Sequence, residues 1–412
     1  MKEKIKLDTP SIMFTALTTK TWGRTFGFCA TLTDGDIDPE LIRQACRDLA
    51  PCYPHVFTNL RRGFFWNYQV PSGSEINIYE KSRRTIKPIG LRRDGKPDFR
   101  ITYCGSRLTF EAAHCLGDGK GLLRFFGALI IRYEQLKRGE TAPFAPETAP
   151  EEATENSFDR YYQKDGERDR TKAERAYHLP CRIEGEFPEL IYAAMPVDKV
   201  KEKAHEKNMT VTEYLSAVLI LGVLRSAPEP VDLPVTVFVP VNLRRFFPSQ
   251  TMRNFVIQTD VRFYPEGKND YTLDFICEQT DKRLKKQLTK ENLQAIINKY
   301  GALANNPALG AIPNFIKIPV MRLMQRKTHE AATTIFTNLG QIELPPELEG
   351  VVGDLRFING DTRYYGLAST VACVSCGTTL NLCWSQATTD RRWLTACIAI
   401  LNEEGVPAAL TE

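Results

Sequence analysis

At 412 residues the chain exceeds one comfortable hydrophobic core, so two domains of roughly 150 to 220 residues are expected. Hydrophobic residues at 42% and charged residues at 25% exclude a disordered chain and a fibre. With 54 basic and 50 acidic residues the net charge is +4, too balanced to point to nucleic acid, and the short basic runs at Arg92-Arg93 and Lys282 to Lys286 read as solvated helix faces.

In chain order, the start MKEKIKLDTP has no hydrophobic signal core. Residues 24–33 (RTFGFCATLT) are β-branched and aromatic and predict a strand. Asp38-Pro39-Glu40 then supplies a cap, a first-turn proline and a first-turn acid for a helix over LIRQACRDLA. The series Asp34, Asp36, Asp38 is not a calcium loop, because Pro39 and Ala45 stand where that loop needs glycine and glutamate. Strands are expected at 63–70, 76–80, 99–104 and 107–113, the last ending on His114, and LLRFFGALIIRYEQL from 122 has helical spacing. Residues 138–185 are rich in proline, acids and polar groups and read as a surface crossover.

A second αβ body is expected from Glu186. Thr210 and Glu213 predict a capping box before a buried helix at 211–224. Its core, YLSAVLILGVL, is too short to span a bilayer, so a cytoplasmic protein without an integral membrane segment is expected. PVTVFVPV at 234–241 predicts a strand, 271–289 and 290–303 helices, 369–386 a strand hairpin, and DRRWLTACIAILNEE the closing helix. Eleven cysteines, scattered among apolar neighbours, read as reduced and buried.

The sharpest chemical feature is AAHCLGDGKGLL, with His114, Asp118 and Gly119 in the spacing HxxxDG. A neutral imidazole can take the proton of an attacking hydroxyl or amine, a carboxylate four residues on can hold the loop by pairing with an arginine, and glycine permits a tight turn. The competing reading is a surface loop that happens to contain these residues. The other histidines (His55, His178, His205 and His329) sit in contexts of surface or local packing. GDGKGL lacks the spacing of a phosphate loop, and Cys373 and Cys376 form a CxxC with no second pair at zinc spacing. Cys115 adjoins His114 but points to the other face of a strand.

AAHCLGDGKGLL resembles the HHxxxDG motif of condensation domains and alcohol acetyltransferases, in the chloramphenicol acetyltransferase superfamily. DPELIRQACRDLAPCYPHVFTNLRRGFFWNY, TVTEYLSAVLILGVL, PVNLRRFFP with MRNFV, and FTNLG extend the likeness in order along nearly the whole chain. The first histidine of the motif is Ala113 here, the plant branch's DFGWG is missing, and Cys52 replaces an arginine found in many relatives.

The resemblance implies an α/β chain of two lobes, each a mixed sheet with flanking helices, and an active-site tunnel between them. The expected division is 1–140 for the first lobe, 141–185 for the crossover and 186–412 for the second. It further implies that His114 is the base, that Asp118 is mainly structural with Arg244 favoured over Arg61 as its partner, and that Gly119 opens the tunnel floor. Asn242 and Arg244 line or brace the site, Asn338 lies near the acyl chain, and Thr337 or Asn338 supplies an oxyanion donor. The implied co-substrate is acyl-CoA, whose phosphates could meet a basic patch, with a small-molecule alcohol or amine as acceptor and no bound metal or permanent cofactor. Two alternatives remain open, a stand-alone condensation-type enzyme using a carrier-protein thioester and a catalytically silent small-molecule-binding protein.

Overall fold

The computed structural model describes residues 4–180, 182, 184–360 and 367–411 and, within them, every side chain except those of 281–283. Cys181 and the start of the basic run at 282–286 therefore lie outside the described side chains.

The first half opens with β1 (Ile5–Lys6) and α1 (Thr9–Ala16), a helix no periodicity announces. Asp8 caps it, accepting from the Ser11 amide at 2.8 Å. β2 (Thr25–Leu32) and α2 (Pro39–Leu49) follow, with Asp38 capping α2 through the Glu40 and Leu41 amides. The aromatic run expected as a strand at 63–70 is mostly a loop. β3 (Thr58–Arg61) and β4 (Tyr68–Pro71) are the arms of a hairpin around it, and Gly63 lets the loop close, since a Cβ there would lie 2.0 Å from the Trp66 carbonyl oxygen. β5 (Asn77–Glu80), β6 (Phe99–Cys104), β7 (Arg107–Ala113) and α3 (Gly119–Lys137) complete this half. The crossover holds two short helices, α4 (Pro150–Ala153) and α5 (Ser157–Tyr161).

The second half runs β8 (Glu189–Pro196), α6 (Val197–Glu206), α7 (Val211–Ser226), β9 (Val235–Asn242), β10 (Val256–Phe263), α8 (Leu273–Gln287), α9 (Lys290–Ala304), α10 (Pro307–Ala311) and α11 (Asn314–Glu330). It continues as β11 (Thr334–Ile342), β12 (Val352–Asn359), β13 (Ser369–Cys376), β14 (Thr379–Gln386), α12 (Arg392–Glu403) and β15 (Ala409–Thr411). Thr210 and Glu213 form the capping box of α7, at 3.3 and 2.6 Å. That helix is apolar all round because it is buried all round, against α8, α12 and the sheet. Each of its leucines, isoleucines and valines contributes about 1.5–3 kcal/mol by leaving water. Among the described residues no single helix is long and apolar enough to cross a membrane.

The strands form a five-stranded sheet (β12-β2-β7-β6-β5), a seven-stranded sheet (β10-β9-β11-β13-β14-β8-β15) and a small one (β1-β4-β3). The two large sheets are mixed, with β5 parallel to β6 and β11 parallel to both β9 and β13. A boundary at 186 does not separate them cleanly. β12 leaves the second half and pairs antiparallel with β2, Asn359 opposite Phe26 and Leu355 opposite Ala30. Phe28, Phe126 and Phe357 thereby share one core with Ala372, Val374 and Cys383 of the larger sheet, so the lobes are joined by packed side chains.

Candidate active site

β7 ends at Ala113, paired with Thr25, and the next amide, that of His114, still donates to the Arg24 carbonyl at 2.8 Å. The backbone of His114 is therefore held by the sheet while its side chain emerges at the sheet's end. The half-buried ring lies between Phe14 of α1 and Phe26 of β2, with centroids 4.6 and 4.9 Å away.

Its Nδ1 lies 3.0 Å from Asn254 Oδ1. Asn254 Nδ2 donates to the His114 carbonyl at 2.9 Å and also reaches Ser11 Oγ at 3.1 Å and Asp8 Oδ2 at 3.3 Å. A carbonyl and a carboxylate only accept, so the amide nitrogen must face them and the amide oxygen must face the ring. The neutral imidazole then carries its hydrogen on Nδ1 and its basic lone pair on Nε2. Asp8, Ser11, Phe14 and Asn254 were not singled out as site residues from the sequence. MRNFV marked only the segment of Asn254, and α1 had no signal beyond its capping aspartate.

Asp118 is 1% exposed and makes three hydrogen bonds. Oδ1 accepts from the Gly121 amide at 2.9 Å as the cap of α3, and Oδ2 accepts from Arg244 Nη1 at 2.7 Å and from the Phe255 amide at 2.9 Å. The Arg244 guanidinium also donates to the Thr251 and Arg253 carbonyls, each at 2.8 Å from Nη2, and to Asn242 Oδ1 at 3.2 Å. Asn242 Oδ1 accepts the Arg244 amide as well, at 3.1 Å. Arg61 points elsewhere, to the Arg92 carbonyl. The ion pair thus clamps residues 251–255 onto the start of α3, and that clamp delivers Asn254 to His114.

The glycines of the motif are contact points of the same clamp. A Cβ on Gly121 or Gly117 would lie 1.9 or 2.4 Å from the Met252 carbonyl oxygen. One on Gly119 would lie 2.7 Å from Leu339 Cδ2, so this glycine admits a side chain of β11.

On β11 neighbouring residues face opposite ways. Phe336 packs in the core around α7, and Asn338 Nδ2 donates to Thr212 Oγ1 of that helix at 3.1 Å. Asn338 Oδ1 accepts from the Gly340 amide at 2.7 Å, bracing the register break of this strand. Thr337 shares the other face with Leu339, the residue against Gly119, and sits opposite Ala372. The structure therefore puts Thr337 and Asn338 on opposite sides of the sheet.

A cleft of 610 Å³ opens beside the clamp, lined by Lys120, Gly121, Arg124, Asn242, Arg244 and Thr251 among others. His114 is not among its lining residues. Burial, reinforced by Arg245, lowers the Lys120 ammonium below the ordinary lysine range.

No protein-family model and no curated protein matches the sequence. Solved structures do. TRI101 of F. graminearum, complexed with coenzyme A and T-2 mycotoxin, superposes with a TM-score of 0.68 over 99% of each chain at 12% identity. Polyketide synthase associated protein 5 from Mycobacterium tuberculosis gives 0.62 over 97% of this chain and 98% of that one, at 15% identity. The epimerization domain from the third module of tyrocidine synthetase B gives 0.60 over 98% and 95%, at 14% identity. The chain has the chloramphenicol acetyltransferase-like fold.

On this chloramphenicol acetyltransferase-like scaffold the remaining sequence candidates are placed as packing or surface groups. His55 and His329 are lowered to about 3 by burial, His178 is lowered for the same reason, and His205 is exposed on α6. Burial pushes the Cys115 thiol well up, which disfavours the thiolate a nucleophile needs. Cys373 lies in the α7 core and Cys376 is half-buried, and burial raises both thiols. Among the described residues no group of three His, Cys, Asp or Glu could hold a metal ion.

Proposed function

We propose that this protein is an acyltransferase that moves an acyl group from a thioester to a hydroxyl or amine by direct attack, with His114 as general base. The observation that carries the reading is the Asn254–His114 pair, which sets the lone pair of a neutral imidazole on Nε2. In this mechanism Nε2 takes the acceptor proton as the acceptor oxygen or nitrogen bonds to the thioester carbonyl. The tetrahedral oxyanion then collapses, the C–S bond breaks, and Nε2 returns the proton to the departing thiolate. Thr337, on the sheet face that carries Leu339 to Gly119, is our choice for the oxyanion donor. Asp118 positions the 251–255 segment, Asn242 and Arg244 complete its clamp, and Asn338 braces β11.

The proposed donor is acyl-CoA, entering through the 610 Å³ cleft where Lys120 and Arg124 offer cations to phosphate. The likeness to TRI101 structures that hold coenzyme A supports this choice. A cytoplasmic setting fits the free thiols of the described cysteines.

The test follows free-thiol release from a panel of acyl-CoAs with mixed alcohols and amines, for the wild type and His114→Ala together. Acceptor-dependent release that falls by about 10²–10⁴ in the variant is expected. Release unchanged by the substitution would remove His114 from the chemistry. No release from any acyl-CoA, with activity appearing on a carrier-protein thioester, would move the reading to the condensation-type enzyme.

A further inference from the structure

The outward face of α11 is apolar where a surface helix is ordinarily polar. Phe315, Ile316, Val320, Leu323 and Met324 are each more than half exposed, Phe315 reaching 71%, and exposed Pro319 lies between them. Positions 315, 316, 319, 320, 323 and 324 follow one another down three turns as a single stripe. Specific bonds fix this orientation. Asn314 donates through its amide to the Phe64 carbonyl at 2.7 Å and through Nδ2 to the Gly63 carbonyl at 2.9 Å, while Gln325 Nε2 donates to the Met13 carbonyl at 2.6 Å. Phe64 and Phe65, 66% and 46% exposed at the tip of the β3–β4 loop, widen the stripe, with the Phe64 ring 6.5 Å from that of Phe315. Single exposed apolar residues need no explanation, but a contiguous set marks a contact surface.

The stripe borders an apolar groove of about 130 Å³, with Ile316, Val320 and Met324 facing Ile12, Met13 and Leu303. That is comparable to the dry cavity of about 150 Å³ known to accept benzene.

Charge narrows the choice of occupant. Along α11 the cations are Arg322, Arg326, Lys327 and Lys317, the last buried over the Trp66 ring, and Glu330, 3.2 Å from Arg326, is the one acid of the helix. The segments that meet α11, Thr9 to Gly23 with α1 and Thr58 to Pro71 with the β3–β4 hairpin, lack acids and carry Lys20 and Arg62 at the surface. Arg326 and Lys327 continue the stripe on the next turn of α11, and Arg62, donating to the Thr18 carbonyl at 3.0 Å, stands at the base of the Phe64–Phe65 loop. An isologous contact with a second copy would set these cations against themselves.

We propose that this face docks on an anionic lipid surface. The side chains of Phe64, Phe65, Phe315 and Leu323 enter the boundary between headgroups and acyl chains, and Arg62, Arg326 and Lys327 meet the phosphates around them. This proposal is independent of the chemistry assigned to His114.

The full chain is sedimented with vesicles of phosphatidylcholine alone or mixed with phosphatidylglycerol, and its oligomeric state without lipid is measured by analytical ultracentrifugation. Binding to the anionic vesicles only, weakened in about 0.5 M salt, is expected. Phe315→Ser with Leu323→Ser, and separately Arg326→Glu with Lys327→Glu, should each reduce it at least about tenfold. Both pairs lie on the surface, so an unchanged melting curve verifies their fold. Absence of vesicle binding, equal binding to neutral vesicles, unaltered binding by both variant pairs, or a wild-type dimer that Phe315→Ser dissociates would each overturn the proposal.

Discussion

Asn254 and His114 share two hydrogen bonds, one from ring Nδ1 to the amide oxygen at 3.0 Å and one from the amide nitrogen to the His114 carbonyl at 2.9 Å. The pair depends on the amide's two ends being chemically different, so Asn254→Ala is expected to free the tautomer without removing the base. On the proposed reaction kcat should fall between about ten- and a hundredfold, less than for His114→Ala, with KM for the thioester little changed. Nitrogen NMR of the ring should report Nδ1 protonation in the wild type and a tautomer mixture in the variant. An unmixed spectrum with full kcat would show that Asn254 does not position the ring.

Asp118 is buried, Arg244 is half-buried at the cleft wall, and both are fully hydrogen-bonded, so removing Arg244 leaves a buried carboxylate uncompensated. Arg244→Ala is expected to cost about 3–5 kcal/mol in denaturant unfolding. Asp118→Asn, which keeps an acceptor for the cap and for the guanidinium, should cost less. Arg244→Lys should fail to restore stability, because one ammonium cannot reach the carboxylate, two carbonyls and Asn242 that the planar guanidinium serves.

Gly121→Ala and Gly119→Ala should separate sharply. The first forces a methyl against the Met252 carbonyl oxygen, a backbone atom held by the clamp, and is expected to abolish soluble folded protein or lower its melting point strongly. The second meets only the end of the Leu339 side chain, which can turn away, and should cost about 1–3 kcal/mol. Comparable melting points for the two would contradict the close approach at Gly121.

Asp98, 1% exposed just before β6, is pushed up to about 7 by burial, although it accepts from the Leu60 amide at 2.5 Å and Asn59 Nδ2 at 2.9 Å. The unfolded chain ionises this group near pH 4, so between about 4 and 7 the native state holds the proton more tightly. Stability from this group is full below the unfolded value and is lost as pH rises through the folded one. The stability of the wild type relative to Asp98→Asn should therefore decline across that window, by at most about 4 kcal/mol. A difference independent of pH would show that Asp98 is ionised throughout.

Local chemistry wrote much of the fold into the sequence. The capping box at Thr210 and Glu213, the unbroken apolar run of α7, the strand ending on His114 and the helix after Asp118 all follow from neighbours within a turn or a pleat, where period and cap residues act directly. Arg244 as the partner of Asp118 came only through the family resemblance, since no spacing rule links residues 126 positions apart.

What the tertiary structure alone decided are the relations that cross the chain. α1 has too weak an apolar stripe to be seen, yet it and its cap bring Phe14 to the histidine and Asp8 and Ser11 to Asn254. β12 reads as part of the second half until it pairs with β2. Alternation along β11 separates Thr337 from Asn338, but which face meets Gly119 depends on the sheet that β9 and β13 complete around it. No helix is expected over 314–330, where Pro319 interrupts the pattern, and the Asn314 and Gln325 bonds turn the apolar stripe of α11 outward. Periodicity and capping are short-range properties of a chain, whereas sheet order, helix orientation and the partner of a buried polar group are settled only when distant segments compete for the same space and the same hydrogen bonds.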